Sequence, residues 1–268
     1  MPLNHWKVAT FNVNGIRARL PLVLEWLSRE RPDVLCMQEI KCVDESFPAG
    51  PLMELGYALR VRGQKSFNGV AVLSLREPDA ELRGFEDGGE DAEARLLAIR
   101  VDGVWVVNTY VPQGRDPLDA AFQVKLEFLS RLKRFFESRF HPSMPVIWTG
   151  DINVAPEPLD VFDPERLDGE VGFHPDERAA LRETMSWGFV DLFRRFHPGR
   201  KQFTFWDYRL RGGFTKDLGW RIDHVLATES LSAVCHACDV DIEPRTASKP
   251  SDHTPVWAAF DLARLPRG

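Results

Sequence analysis

Two polar side chains follow an apolar run in the middle of the chain, and both can bind a metal ion or a phosphate. The run 146–148 is long enough for one buried strand, Gly150 ends it, and Asp151 and Asn153 come next. Side chains two positions apart on an extended chain point to the same side, so this carboxylate and this amide should share one edge of a sheet. A turn rich in Asp and Asn has the same composition. This stretch alone therefore leaves a reactive site and an ordinary turn as alternatives.

The same pattern recurs along the chain, and the recurrence decides between the two. Amide, carboxylate, phenol and imidazole groups stand where other apolar runs stop: Asn12, Asn14, Gln38, Glu39, Asn108, Tyr110, Asp223, Asp252 and His253. One or two such groups would be ordinary caps or turns, but core strands have no structural need for so many. Converging groups of these types indicate a metal-assisted hydrolase.

Three of these residues form a candidate metal site. Glu39, with help from Asn12 and Asp252, can hold a hard cation through oxygen ligands. Magnesium suits a site with few carboxylates that is completed by water and a substrate phosphate. The sequence therefore predicts Mg²⁺ as the cofactor.

The remaining groups suit the hydrolysis of a phosphodiester. His253 needs an acid to orient it, and Asp223 is the candidate. Asp151 can align or deprotonate the attacking water, while Asn153 and Tyr110 can hydrogen-bond the phosphate oxygens. Each residue also has an ordinary alternative, because His253 could be a capping or core histidine and Tyr110 a core aromatic.

Strands joined by helices or hairpins would bring these groups together. Apolar runs predict strands over 6–12, 33–38, 57–61, 70–75, 96–101, 104–110, from 145, 221–227 and 256–260. Helical spacing predicts a helix with Pro21 in its first turn, a long helix over 122–136, and a helix over 176–187 that Asp176 caps. Asp102-Gly103 predicts a hairpin. The pattern predicts an α/β fold in one domain, residues 1–268, with two packed mixed sheets and helices outside.

Size and cysteine content fit one cytoplasmic enzyme domain. A chain of 268 residues, 44% of them apolar, can form one large core. No apolar run is long enough to span a membrane, and no signal peptide is visible. Cys235 and Cys238 have CxxC spacing, but a second pair is missing. On a strand their sulfur atoms would face opposite sides, so a zinc site is not expected. We read a reduced, cytoplasmic protein.

The charge distribution is uneven. A net charge of −6 argues weakly against a nucleic-acid partner. Five carboxylates and no basic residue fall in 86–93, a predicted loop between two strands that we expect to lie away from any nucleic acid. Basic residues gather elsewhere: Arg17 and Arg19; Arg60, Arg62 and Lys65; Arg194, Arg195, Arg200 and Lys201; Arg209, Arg211, Lys216 and Arg221. These groups predict a local basic face, with solvated loops as the alternative.

Seven segments, in order over nearly the whole chain, resemble the motifs of exodeoxyribonuclease III. They are 10–18 (TFNVNGIRA), 38–42 (QEIKC), 108–112 (NTYVP), 150–155 (GDINVA), 206–209 (WDYR), 219–223 (GWRID) and 251–256 (SDHTPV). That family contains the abasic-site endonucleases of the endonuclease/exonuclease/phosphatase superfamily. The second, fifth and sixth segments point most narrowly to its DNA-repair branch.

The resemblance implies a DNase I-like four-layer α/β sandwich with a magnesium or manganese site. Glu39 would be the main ligand, with Asn12 and Asp252 near it and Asp151 and Asn153 beside the metal. The implied activity is a nick 5′ to abasic sites in double-stranded DNA, with exonuclease and phosphodiesterase or phosphatase activity at 3′ ends. Whether Asp151, Tyr110 or the metal generates the nucleophile stays open. The chain begins close to its first strand, which fits the bacterial branch, acting as a monomer on nucleoid DNA.

DNA contacts are expected from Arg17, Lys41, Gln113 and Trp206, although Lys41 could be an ordinary surface residue. Trp220 stands three positions before Asp223 and Ile222 one position before it. With Phe205, they fall where the family builds its pocket for the abasic sugar. A nucleotide that keeps its base would have to unstack and would then clash in such a pocket. The alternative is that all three are core residues.

Two other functions compete with a repair nuclease. One is a phosphatase or phospholipase of the same superfamily that acts on inositol phosphates or sphingomyelin, and the segment 219–223 argues against it. The other is a catalytically silent DNA-binding module. The complete set of polar groups at strand ends argues against that module.

Overall fold

Two six-stranded sheets are packed face to face in the computed structural model, which describes residues 5–89 and 93–265. The strands are β1 (His5–Asn12), β2 (Val34–Gln38), β3 (Ala58–Arg62), β4 (Val70–Ser74), β5 (Ala80–Arg83), β6 (Leu96–Val101), β7 (Val104–Tyr110), β8 (Val146–Asp151), β9 (Phe189–Asp191), β10 (Asp223–Thr228), β11 (Cys235–Val240) and β12 (Val256–Asp261). The helices are α1 (Ile16–Glu30), α2 (Ala49–Glu54), α3 (Ala120–Arg139), α4 (Pro164–Leu167), α5 (Pro175–Met185), α6 (Leu192–Phe196) and α7 (Glu229–Val234).

The strand order brings the polar strand ends to one edge of the molecule. The first sheet has the order β11-β12-β1-β2-β4-β3 and the second β5-β6-β7-β8-β10-β9. Each sheet contains one parallel pair, β1 with β2 and β7 with β8, joined by the crossover helices α1 and α3. The strands next to these pairs, β12 and β10, run antiparallel to them. The starts of β10 and β12 therefore lie where the parallel strands end.

Side chains alternate between an inner core and two outer cores. Val8 and Cys36 of the first sheet share a buried cluster with Val106 and Ile147 of the second. The outer face of the first sheet is covered by α1, and that of the second by α3 and α5. Because the strands are buried on both faces, they appear in the sequence as continuous apolar runs. The four layers confirm the predicted α/β sandwich.

Most predicted elements are present, with shifts of a residue or two at their ends. Asp102 and Gly103 have φ values of 54° and 79° and form the predicted tight turn between β6 and β7. Strands β5, β9 and β11 were not predicted. Two of them have only four and three residues, and β11 carries a bulge, so none shows a regular apolar run.

Two helix starts differ from the prediction. Helix α1 begins at Ile16, so Pro21 lies in its interior and not in its first turn. Its early start is held by N–H groups of Gly15 and Ile16, which donate to carbonyls that follow β2. Helix α5 is capped by His174, whose Nδ1 accepts from the N–H of Asp176 at 3.1 Å, so Asp176 is not the cap.

The prediction that the sulfur atoms of Cys235 and Cys238 face opposite sides is wrong. A bulge between Cys235 and Ala237 shifts the alternation, and both thiols lie in the core between the sheets. Both are free. They are not part of a cluster of three or more potential metal ligands within the described ranges.

The acidic loop connects β5 to β6 beside helix α3. The carboxylate of Asp87 accepts two hydrogen bonds of 2.6 Å from the guanidinium of Arg131 in α3. Residues 90–92 of this loop lie outside the described residues. Among the helices of the described chain, none combines the length and apolar character needed to cross a membrane.

Candidate active site

The side chains predicted to do chemistry come from both sheets and meet at one edge. Asn12 ends β1, Glu39 follows β2, Asp151 ends β8 and Asp223 begins β10. Asp223 lies directly across from Asp151 in the β8–β10 ladder. Gly150 allows β8 to pair closely with β7 just before Asp151, because a Cβ there would lie 2.0 Å from the carbonyl oxygen of Thr109, at a φ of +137°. The site is thus a product of sheet topology.

The amide of Asn12 joins the carboxylates of the two sheets. Its Nδ2 donates to Glu39 Oε1 at 2.9 Å and to Asp151 Oδ2 at 2.8 Å. Glu39, Asp151 and His253 each offer an atom within 4.8 Å of the other two, the one such group of three in the described part of the chain. The amide oxygen of Asn12 instead accepts from the N–H of Asn14 at 3.0 Å. In this arrangement the amide nitrogen of Asn12 joins the two carboxylates, and its role as a metal ligand stays a prediction.

His253 is held between two aspartates. Its Nδ1 lies 2.8 Å from Asp223 Oδ2, and its Nε2 lies 3.7 Å from Asp151 Oδ2. Burial alone would lower the pKa of His253, but the charges of Asp223 and Asp151 outweigh burial and raise that pKa to about 10. The imidazole is therefore a cation at neutral pH. Because 3.7 Å exceeds hydrogen-bond distance, Nε2 remains available as a donor to a substrate oxygen.

Burial has the opposite consequence for the acids. It raises the pKa of Asp151 to about 7, against the opposing influence of the His253 charge. It also raises the pKa of the Tyr110 phenol well above its ordinary value, and the charges of Glu39 and Asp151 add to this increase. Tyr110 is therefore a neutral hydrogen-bond donor in this environment, whereas Asp151 can accept a proton near neutral pH.

Lys41 and Asp252 form the outer side of the site. Lys41 Nζ lies 2.8 Å from Glu39 Oε2 and also hydrogen-bonds the side chain of Asn14. Asn14 Nδ2 in turn donates to Asp252 Oδ1 at 2.9 Å. Asp252 does not belong to the group of three potential ligands. It is linked to Glu39 through Asn14 and Lys41, and its role as a metal ligand stays a prediction.

A cavity of about 440 Å³ opens beside Asn153. Phe205, Trp220 and Ile222 line it, as expected for the predicted pocket. The backbone of Phe205 forms isolated antiparallel β-bridges with Trp220 and with His253. The cavity wall is therefore continuous with the reactive groups. The remaining lining combines apolar and charged side chains, among them Gln113, Phe162, Leu167, Arg115, Arg166 and Arg209.

The profile of the endonuclease/exonuclease/phosphatase family matches residues 9–253. The chain belongs to this family. Exodeoxyribonuclease III of Haemophilus influenzae is 35% identical over 95% of this chain and 99% of its own length. The predicted resemblance to the exodeoxyribonuclease III family is confirmed, and so is the predicted class, a DNA-repair nuclease.

Two solved structures of the family superpose on nearly the whole chain. An AP endonuclease from Archaeoglobus fulgidus matches with a TM-score of 0.92 and 43% identity, over 95% of this chain and 99% of its own. A 3′ phosphatase from Neisseria, bound to a product DNA hairpin, matches with a TM-score of 0.91 and 34% identity, over 96% of this chain and 99% of its own. These likenesses favour the DNA-repair branch over the hydrolases of inositol phosphates or sphingomyelin.

Two residues that the family motifs singled out lie in the interior. Trp206 is 1% exposed, and its Nε1 donates to Asp217 Oδ1 at 3.1 Å. It therefore packs inside the loop segment that contains Asp217 and does not line the cavity. Arg221, predicted to belong to a basic surface group, is buried and binds Asp160 and Asp191 at 2.6 and 2.8 Å. Neither can contact DNA directly. In contrast, Arg17 is exposed on the first turn of α1.

Sequence reasoning missed the residues that orient the reactive groups. Thr204 Oγ1 accepts from the N–H groups of Ile222 and Asp223, each at 3.1 Å, and so fixes the start of β10. Ser251 Oγ donates to the carbonyl of Asn12 at 2.7 Å and accepts from the N–H of His253 at 3.3 Å. Ser251 stands in the SDH motif, which was the one available signal. Thr204 has no motif that would have revealed it.

Proposed function

We propose that this site hydrolyses phosphodiester bonds in duplex DNA 5′ to abasic sites, and that it also acts at damaged or phosphate-bearing 3′ ends. One observation carries the proposal. A buried cationic histidine, paired with Asp223, lies next to a cavity whose apolar walls can receive a sugar that has lost its base. Phe205 contacts both features, since its ring lies 4.7 Å from that of His253. Reaction chemistry and lesion recognition would thus share one wall.

The donor set fits a hard divalent cation, and we propose Mg²⁺, with Mn²⁺ as a substitute. Glu39 and Asp151 bring two carboxylates together, as such ions prefer. We assign His253 to the phosphate and not to the ion, because its Nδ1 is bound to Asp223 Oδ2 at 2.8 Å and orients its Nε2 as a donor. The ion, when bound, would stabilise negative charge on the phosphate. Glu39 and Asp151 would hold it.

The protein's own groups supply binding and proton transfer. His253 donates from Nε2 to a phosphate oxygen, and Asp223 keeps it charged and oriented. Asp151 accepts the proton of the attacking water. Tyr110, as a neutral phenol, donates a hydrogen bond to the phosphate. Asn153, whose Nδ2 already donates to the carbonyl of Val111 at 2.9 Å, offers its second amide proton.

The DNA would lie across the edge where these groups meet. Arg17 is exposed near the site, Lys41 borders it, and Gln113 with Arg115 and Arg209 lies at the cavity. We propose that these residues bind the phosphate backbone, which is the main source of affinity for DNA. We further propose that the chain acts as one domain and as a monomer, in the cytoplasm.

A single parallel assay tests the function. End-labelled duplexes carry a tetrahydrofuran abasic analogue, a recessed 3′ end or a 3′-phosphate, and each is incubated with and without Mg²⁺. We expect Mg²⁺-dependent incision 5′ to the analogue and release from both 3′ ends. Asp151→Asn should lower turnover by about 10²–10⁴-fold, the usual contribution of a positioned proton-transfer group. Absence of incision by the wild-type protein, with release of phosphate from inositol phosphates, would refute the proposal.

A further inference from the structure

A fully buried ion pair lies beneath the cavity. Lys125 of α3 and Glu177 of α5 form a salt bridge in which both side chains are 0% exposed. Burying two charges is unfavourable unless good geometry and further hydrogen bonds compensate for the lost water. The partners of these two side chains therefore show what the pair holds together.

Apart from the contact between the two side chains, every donor and acceptor of the pair is directed at a loop. Lys125 Nζ donates to the carbonyl of Gln113 at 3.0 Å, to the carbonyl of Asn153 at 2.7 Å, and to Glu177 Oε1. These three bonds use all three ammonium protons. The other carboxylate oxygen, Oε2, accepts from the N–H of Gly172 at 2.6 Å and from that of His174 at 3.1 Å.

The three loops that the pair joins are walls of the active-site cavity. Gln113, Asn153 and Gly172 all line it. Asn153 also belongs to the turn that carries Asp151, since its N–H donates to Asp151 Oδ1 at 3.0 Å. Its backbone has a φ of 55°, which few residues other than glycine adopt, so this turn needs support from its surroundings. Lys125 provides that support at the carbonyl.

We propose that Lys125 and Glu177 are positioning residues for the reaction, which fix the Asp151–Asn153 turn relative to the two opposite cavity walls. This inference rests on the proposed function, because it concerns the same site. The pair touches no reacting group itself. A displacement of about 1 Å at a reacting centre can cost about 10²-fold in rate. We therefore expect the pair to control turnover and lesion selectivity more strongly than it controls the affinity for DNA.

The test is the double variant Lys125→Met/Glu177→Gln. It removes both charges together, so no lone charge is left buried, and the Gln oxygen can still accept from Gly172 and His174. Only the donors to the carbonyls of Gln113 and Asn153 are lost. The matched control is Lys133→Met/Glu137→Gln, which removes a more exposed Lys–Glu pair of 2.5 Å from the same helix.

Turnover is measured per folded molecule, by single-turnover incision of the abasic analogue at saturating Mg²⁺, well below the melting temperature. We expect the double variant to fold with a lower melting temperature, because two buried carbonyls lose their donors, and to bind DNA normally. Its incision rate should fall about 10²-fold, and its preference for the abasic analogue over an intact nucleotide should decrease. The control should match the wild type. A folded double variant with wild-type rate and selectivity would overturn the inference, and a wild type without incision would instead refute the proposed function.

A second variant covers a failure of the first to fold. Glu177→Asp keeps the charge that neutralises Lys125 but is one methylene shorter, so its carboxylate cannot reach both the ammonium of Lys125 and the N–H of Gly172. One of the two cavity walls must therefore shift. The same loss of rate and selectivity is expected in the folded protein at low temperature. Wild-type values would again contradict the inference.

Discussion

The contact between Asp223 and His253 should set the charge of the histidine, and Asp223→Asn tests this directly. The two side chains are buried and 2.8 Å apart. Burial lowers the pKa of His253, and the Asp223 charge is the strongest of the influences that raise it to about 10. Asparagine keeps the shape of the aspartate and an oxygen acceptor for Nδ1. The substitution therefore removes charge while it retains the orientation of the ring.

The expected loss follows from the fraction of protonated imidazole. Without Asp223, the pKa of His253 should fall from about 10 toward its ordinary value of 6.5, because burial still lowers it and the charge of Asp151 is left to oppose burial. At pH 7.5 a group with this pKa is protonated in about one molecule in eleven, so charge alone accounts for about a tenfold loss of turnover. The loss should grow about tenfold per pH unit between pH 7.5 and 9, and shrink below pH 6.5.

The assay is kcat for incision of the tetrahydrofuran analogue from pH 6 to 9, for wild type and variant. The matched control is Asp239→Asn, which removes a carboxylate 3.8 Å from another histidine, His197, at the surface. The control should follow the wild-type profile. A wild-type-to-variant ratio that stays constant over this pH range would refute the reasoning, because Asp223 would then act by orientation alone.

Four further substitutions give distinct readouts. Glu39→Ala should abolish incision at low Mg²⁺ and recover partly at high Mg²⁺ or Mn²⁺, and unchanged activity at low Mg²⁺ would contradict the metal assignment. Because Asp151 is proposed to accept the proton of the attacking water, Asp151→Asn should lower the rate by about 10²–10⁴-fold while DNA affinity, measured by anisotropy, persists, and an equal loss of affinity would make Asp151 a binding group. Trp220→Ala should increase cleavage of intact nucleotides relative to abasic ones, whereas a lower melting temperature with unchanged selectivity would make Trp220 a core residue. Arg221→Met leaves Asp191 buried without its guanidinium partner, so the free energy of unfolding, from denaturant titration, should fall by about 3–5 kcal/mol; a loss near zero would contradict this.

The part of the site that sequence predicted is the part built from strand ends. Asn12, Glu39, Asp151 and Asp223 each follow or precede an apolar run, and the run fixes both the strand and the edge at which the side chain emerges. His253 precedes β12, which is antiparallel to β1, so the same rule applies to it. The local pattern was sufficient for these residues because sheet pairing does the remaining work.

The part that sequence could not predict depends on partners far apart in the chain. Arg221 was assigned to a basic surface group, yet it is buried. Its guanidinium binds the carboxylate of Asp160, which lies 61 positions away in the chain. Lys125 reaches Glu177 over 52 positions, and nothing near either residue marks it as buried. Single-residue chemistry cannot distinguish a guanidinium or ammonium that binds DNA from one that neutralises an interior acid. Only the packing of loops against α3 and β10 makes that distinction.

The balance of charge at the site explains why a cation belongs there. Glu39, Asp151, Asp223 and Asp252 supply four carboxylates, against which the described residues of the site set the cations of His253 and Lys41. An approaching phosphate adds further negative charge to a buried region, where repulsion is poorly screened. The raised pKa of Asp151, caused first by burial and then opposed by His253, shows that this carboxylate is not fully stabilised by the protein alone. A divalent cation held by Glu39 and Asp151 would neutralise part of the negative charge of both carboxylates and of the phosphate. The excess of negative charge that would attract the ion is therefore also the reason why the reaction would require it.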